Sequence, residues 1–179
     1  MRPRRANLRE TETEPAMTRA LAAIALAAAL AAPALAQDLY RSVAGWDVLM
    51  IDGGCYAAAD FEDDTELYVG VDPAEGVLIM TVLNPRWIGI ADGEPVPTDL
   101  SFGDRAFGFV VMTGVVNAAG VPGVSYVVPA SADEMGALMS ELMDEGDLTL
   151  SQDGEEAARL DMSGMGAAFI VVGECAGLG

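Results

Sequence analysis

The sequence predicts an α+β fold: a curved antiparallel β-sheet of seven or eight strands with two helices toward the C-terminus. Three observations point to it. Apolar and polar residues alternate with period two through most of residues 45–128, the spacing of strands whose two faces differ. Gly-, Asp- and Pro-rich turns interrupt that alternation at short intervals. From Ser131 onward the apolar spacing lengthens to that of a helix.

The elements follow in order. "GWDVLMI" (45–51) leads through the turn "DGG" into "CYAAADF" (55–61), where Cys55, Ala57, Ala59 and Phe61 share one face. The acidic link "EDDT" precedes "ELYVGVD", in which Leu67, Val69 and Val71 alternate with Glu66, Tyr68 and Gly70. After the turn "PAEG", "VLIMTVLN" is apolar on both faces, as a central strand would be. These runs predict an antiparallel meander. Residues 85–116 read as further strands broken at Asp92-Gly93 and Gly103-Asp104. Pro95 and Pro97 cannot donate to a ladder and favour an edge position. "VSYVV" (124–128) is a short strand beyond the connection "NAAGVPG".

The helical part opens with Ser131 and Glu134, spaced as a capping box. Met135, Leu138, Met139 and Leu142 form one apolar stripe, and Gly146 ends the helix. A hairpin follows: "DLTLS", the turn "QDGE" and "AARLDM". Ser163 is placed to cap the last segment, "GMGAAFIVVGECAG". As a helix it would bring Met165, Ala168, Phe169, Val172 and Cys175 onto one face. Its β-branched run leaves a strand reading open.

The ends concern targeting. Met17-Thr18-Arg19, the apolar "LAAIALAAALAA" and the small-residue site "ALA" before Gln37 read as a signal peptide over 17–36. The apolar run is shorter than the roughly 20 residues of a membrane-spanning helix. Residues 1–16 read as an over-extended start. The expected product, 37–179, is a single exported domain of 143 residues with no later membrane span, periplasmic or secreted. It keeps four arginines and 25 of the chain's 28 acids, a net charge of −21. Nucleic acid is excluded as a partner, because binding it means neutralising phosphates. Solubility accounts for the acidity.

Histidine and lysine are absent from the whole chain. That removes Ser-His-Asp and Cys-His catalysis, imidazole metal sites, Schiff-base lysines and the P-loop lysine. Only Asp, Glu, Tyr or Cys is left for acid-base work. No catalytic residue, metal ligand or cofactor is assigned.

The two cysteines, Cys55 and Cys175, both fall on core-facing positions of a chain bound for an oxidising compartment. They are expected to form a disulfide, with small Ala57 and Ala59 letting the last helix approach the sheet. The acid-rich "DFEDDTE" (60–66) and "MDEGD" (143–147) lack the alternating ligands and glycine of an EF-hand loop and read as solvated links. Met135, Met139 and Met143 stand at i, i+4 and i+8. Thioethers can hold Cu(I), but such a stripe ordinarily fills a core. Ser125 and Tyr126 have no base beside them to make a nucleophile. "NPRWIGI" (84–90) sets Arg86 beside Trp87, the residue types that anchor interaction hot spots, and both are candidate interaction residues. The other reading of Trp87, a strand start packed in the core, stays open.

The segments "GWDVLMIDGGC", "PRWIGIADGEPV", the block 131–150 and "LDMSGMGAAF" resemble small exported bacterial proteins of the invasion-associated locus B type. The resemblance spans most of 37–179. It implies a β-rich domain of the periplasm or envelope and carries over no site residue. The functional expectation is therefore a non-enzymatic exported binding or envelope-accessory domain, stapled by one disulfide and acting on an envelope or periplasmic protein. The alternatives are a periplasmic protease inhibitor and a carboxylate-dependent hydrolase or metal-binding protein.

Overall fold

Three chain reversals are two-residue turns in which both central residues take positive φ. They are Ala44-Gly45 (50° and 89°), Asp52-Gly53 (50° and 89°) and Asp153-Gly154 (52° and 82°). This geometry matches the right-handed twist of paired strands, so each turn closes a hairpin without splaying it. The computed structural model describes residues 37–144 and 146–178. In it these hairpins join one sheet in which every neighbouring pair is antiparallel. The start-site reading of 1–16 and the signal peptide reading of 17–36 lie outside the described residues.

Strands β1 (Asp38–Val43), β2 (Trp46–Ile51), β3 (Gly54–Asp60), β4 (Glu66–Asp72) and β5 (Val77–Leu83) form a meander in chain order. The chain then crosses over. β6 (Pro95–Phe102), β7 (Arg105–Val116) and β8 (Pro122–Pro129) form a second meander that returns, so that β8 rather than β6 pairs with β5. β9 (Leu148–Gln152) and β10 (Glu155–Leu160) extend the sheet from β6, giving the order β1-β2-β3-β4-β5-β8-β7-β6-β9-β10.

The sheet has ten strands rather than seven or eight, and it is open rather than curled. The two ends of the row, β1 and β10, each pair with one neighbour, so nothing closes it. Both edge strands carry a register shift, between Leu39 and Arg41 and between Glu156 and Ala158. Bulges of this kind blunt edges against pairing with other chains. Pro95 and Pro97 sit on an interior strand, yet β9 pairs only with Asp99–Phe102. The prolines therefore face a single neighbour, and their edge character holds locally.

Helix α1 spans Asp133–Met143 and α2 spans Met165–Cys175, which resolves the last segment as a helix. Neither uses the expected serine cap. The N-cap residues are Ala132 and Gly164, without side-chain bonds. At α1 the Ala132 N–H bonds back to the Pro129 carbonyl at 2.9 Å, so the helix begins one residue beyond the reach of Ser131. At α2 Ser163 contributes its carbonyl instead, accepting from Trp46 Nε1 at 3.0 Å. Gly146 is not the helix terminator, since Asp144 is the C-cap. It lets the backbone pass Gly103, where an added Cβ would stand 3.0 Å from a backbone nitrogen.

One face of the sheet and the two helices enclose the core. Ala57, Val69 and Met80 stand abreast across β3, β4 and β5, fully buried. α2 packs against β1 to β4, and α1 packs against β8 and α2.

Candidate functional site

The sequence of α1, "DEMGALMSELM", carries five large apolar residues in eleven, a wider stripe than one packing contact covers. Leu138 and Leu142 take the fully buried positions. Met135 is half-buried, while Met139 and Met143 remain 38% and 42% exposed. The stripe is thus not uniformly core filler. Its leucines fill the core, and its three methionines form one wall of a groove about 12 Å long, at a rise of about 1.5 Å per residue.

The opposite wall is α2. Phe169 sits at its base, Ile170 is 60% exposed, and Gly173 leaves a gap in which an added Cβ would meet no atom within 4 Å. Val71 and Val77, at the adjacent ends of β4 and β5, make the floor, and Leu178 (66% exposed) the rim. The volume of the groove is about 750 Å³, and among the described residues the only charged side chains lining it are Asp72 and Glu174. Asp72 Oδ1 holds the β4–β5 turn by accepting from the N–H groups of Ala74 and Glu75 at 2.9 and 3.1 Å. Glu174 Oε2 accepts from Arg41 Nη1 at 2.9 Å, tying α2 to the edge strand β1.

The disulfide between Cys55 and Cys175 is formed, with Cα atoms 6.0 Å apart, and joins β3 to the last residue of α2 across 120 residues of chain. Ala57 beside it is fully buried, the small contact the helix needs. The groove's α2 wall is therefore anchored covalently.

Arg86 and Trp87 lie at the other end of the sheet, on the crossover loop after β5 rather than on a strand. Trp87 is half-buried against the core beside Thr98, Val124 and Leu150, whereas Arg86 is exposed and makes no ion pair among the described residues. The loop is braced by Asn84, itself buried. The Asn84 side-chain oxygen accepts from the Arg86 N–H at 2.8 Å, and its Nδ2 donates to Thr65 Oγ1 at 2.7 Å and Asp63 Oδ2 at 3.1 Å. The acidic link is thus only partly solvated. Glu62 and Asp64 point outward, while Asp63 orients the loop that carries Trp87. Ile88, at the tip, is 92% exposed.

Hydrogen bonds from Thr65 and then Asn84 hold the Asp63 carboxyl below its ordinary pKa. Glu156 is lowered by Arg159, and Asp161 by Ser163. Tyr68 moves the other way, up to about 12, through burial and its bond to Glu66 at 2.8 Å. In the other acid-rich stretch Asp144 and Asp147 stand in ion pairs with Arg105 and Arg159. Arg105 Nη2 stands 2.7 Å from both Asp144 and Glu141, aligned for a hydrogen bond only with Asp144, so charge alone holds Glu141. Ser125 Oγ is 2.9 Å from Thr81 Oγ1, a cross-strand pair. Among the described residues no three His, Cys, Asp or Glu side chains cluster as a metal site would require. No family model, curated protein or solved structure matches the chain.

Proposed function

We propose that the chain is an exported, non-enzymatic binding domain, periplasmic or secreted, that engages an envelope protein through the groove between α1 and α2. The observation that carries this reading is the groove itself. Its volume falls in the range of binding sites, and it gathers four exposed large apolar side chains in one place. A solvated apolar patch of that kind costs a soluble protein stability and solubility unless a partner covers it. The available side-chain chemistry agrees. The Asp63 carboxyl, held below its usual range, and the Tyr68 phenol, held above its own, exchange protons poorly near neutrality. The likeness to invasion-associated locus B proteins supports the envelope setting. Arg86 and Trp87, at the opposite end of the sheet, are a second contact surface in the same proposal.

The test is to produce the full chain through the export route of a bacterial host and titrate the product with Nile red, a neutral apolar dye. A periplasmic product beginning at Gln37, with dye fluorescence rising on binding and lost in Gly173→Leu, is the expected result. That substitution points into open space and replaces the poorest non-proline helix former, so the variant should melt no lower than the parent. A full-length product retained in the cytoplasm overturns the export part. Equal dye binding by Gly173→Leu overturns the groove part.

A further inference from the structure

We infer that the occupant of this groove is a cationic amphipathic helix of a partner protein, an inference that rests on the binding-domain reading above. Shape gives the first reason. The groove is lined by exposed Met139, Met143 and Ile170, so its occupant lies along the surface rather than being enclosed. A row of thioethers about 12 Å long matches apolar anchors at i, i+4 and i+7 of a docked helix. Unbranched methionine side chains adapt to whatever residues arrive.

Strand addition is not available here. The two strands that reach the floor, β4 and β5, already have a partner on each side, so neither offers a free ladder. The walls are helix side chains, the surface on which another helix seats its own ridges.

Charge decides between a peptide and a lipid with an acidic head. Among the described residues no cation lines the groove, and its two charged residues, Asp72 and Glu174, are both acids. Arg41 and Glu174 offset each other in their ion pair, so Asp72 carries the unpaired charge of the groove. The chain around them is strongly acidic. A fatty acid or phospholipid would bring its anion into that field, whereas Lys or Arg flanking an apolar helix face is drawn to it.

The test uses fluorescence anisotropy with a labelled Leu/Lys peptide of about 14 residues, roughly four turns, patterned to give one apolar face. Two controls share its length: a scrambled Leu/Lys peptide with no apolar face, and a Leu/Glu peptide with the same apolar face. The patterned Leu/Lys peptide is expected to bind with an affinity on the order of micromolar, weakening as salt is added. Both controls, and the parent peptide on Gly173→Leu or Met139→Gln, should bind at least about tenfold more weakly. Met139→Gln changes an exposed side chain of similar size, so loss there does not report unfolding.

Equal binding of the scrambled peptide would reduce the effect to attraction between opposite charges and overturn the proposal. So would unchanged binding by Gly173→Leu. Nile red separates the two readings: dye binding lost in Gly173→Leu without peptide binding keeps the groove and removes the helix. A neutral monoglyceride that displaces the dye where the peptide cannot would likewise put an uncharged lipid in the groove and overturn the peptide assignment. A parent chain that binds neither dye nor peptide removes both readings.

Discussion

The two helices are each eleven residues long, yet they are held in different ways. Six residues of α2 are buried, on most sides of the helix, and both of its ends are tied down. Trp46 bonds the carbonyl just before its first turn, and Cys175 in its last turn is bonded to β3. α1 buries two residues, Leu138 and Leu142, with Met135 half-buried against the core, and its polar attachments are ion pairs to Arg105, exposed at Asp144 and partly buried at Glu141. Exposed pairs contribute little, typically under about 1 kcal/mol. The groove thus has one fixed wall and one that rests on two leucines and can yield. That combination suits a site that fits itself to an incoming side-chain pattern, and it explains why the adaptable residues are on α1.

The largest test of this difference is loss of the disulfide. A bond closing a loop of this length is worth about 5 kcal/mol in the chain-entropy view, so Cys55→Ala with Cys175→Ala should lower the unfolding free energy by up to roughly that amount. Denaturant titration measures it. Hydrogen exchange should show α2 losing protection most, toward the level of α1. If α2 keeps its full advantage over α1, burial alone anchors it, and the covalent part of the comparison is wrong.

Next comes Leu138→Ala. Truncating a fully buried leucine costs about 3 kcal/mol where the site cannot collapse, and one of only two anchors of α1 would be gone. The expected outcome is faster exchange across α1 and loss of Nile red binding, with α2 little changed. Ile170→Ala, on the exposed side of α2, should cost less than about 0.5 kcal/mol. Equal losses in the two variants would mean that α1 is no looser than α2.

Much of the sheet was legible in the sequence because its inward face is continuous. Cys55, Ala57, Leu67 and Val69 recur with period two against a more polar outer face, Leu78 and Met80 keep the same period in a strand apolar on both faces, and all six are buried. β1 escaped that reading for a physical reason. It is an edge strand with almost no buried residue, so "DLYRSV" carries no alternation to find. The crossover also leaves no local signal, since β5 pairs with β8 through residues 40 to 52 positions away. The cysteines announced their own pairing. The groove did not announce itself, because periodicity shows which side of a helix is apolar but not how much of that side another element covers. The excess width of the α1 stripe was the one available hint. Trp87 was ambiguous for the same reason: its neighbours Thr98, Val124 and Leu150 come from three strands whose assembly the local sequence does not encode.

The smallest effect is the one that reads α1 docking most directly. Tyr126, on β8, faces inward beside Met80 and lies within the influence of Glu134 in the first turn of α1. Burial raises its pKa above 10, and the Glu134 carboxylate adds to the shift. The fold therefore holds the neutral phenol. Its contribution to stability is whole below pH 10 and is lost as the pH rises through the folded value. Phenolate absorbance, taken as the difference between the parent and Tyr126→Phe, should place this ionisation above that of an ordinary tyrosine. Glu134→Gln should recover only part of the shift, because burial is the larger cause. Leu138→Ala should recover more by loosening the helix that covers the ring. Were Tyr126 to ionise like a free tyrosine in the parent, α1 would not be closed over β8 in solution, and the yielding wall would already stand open.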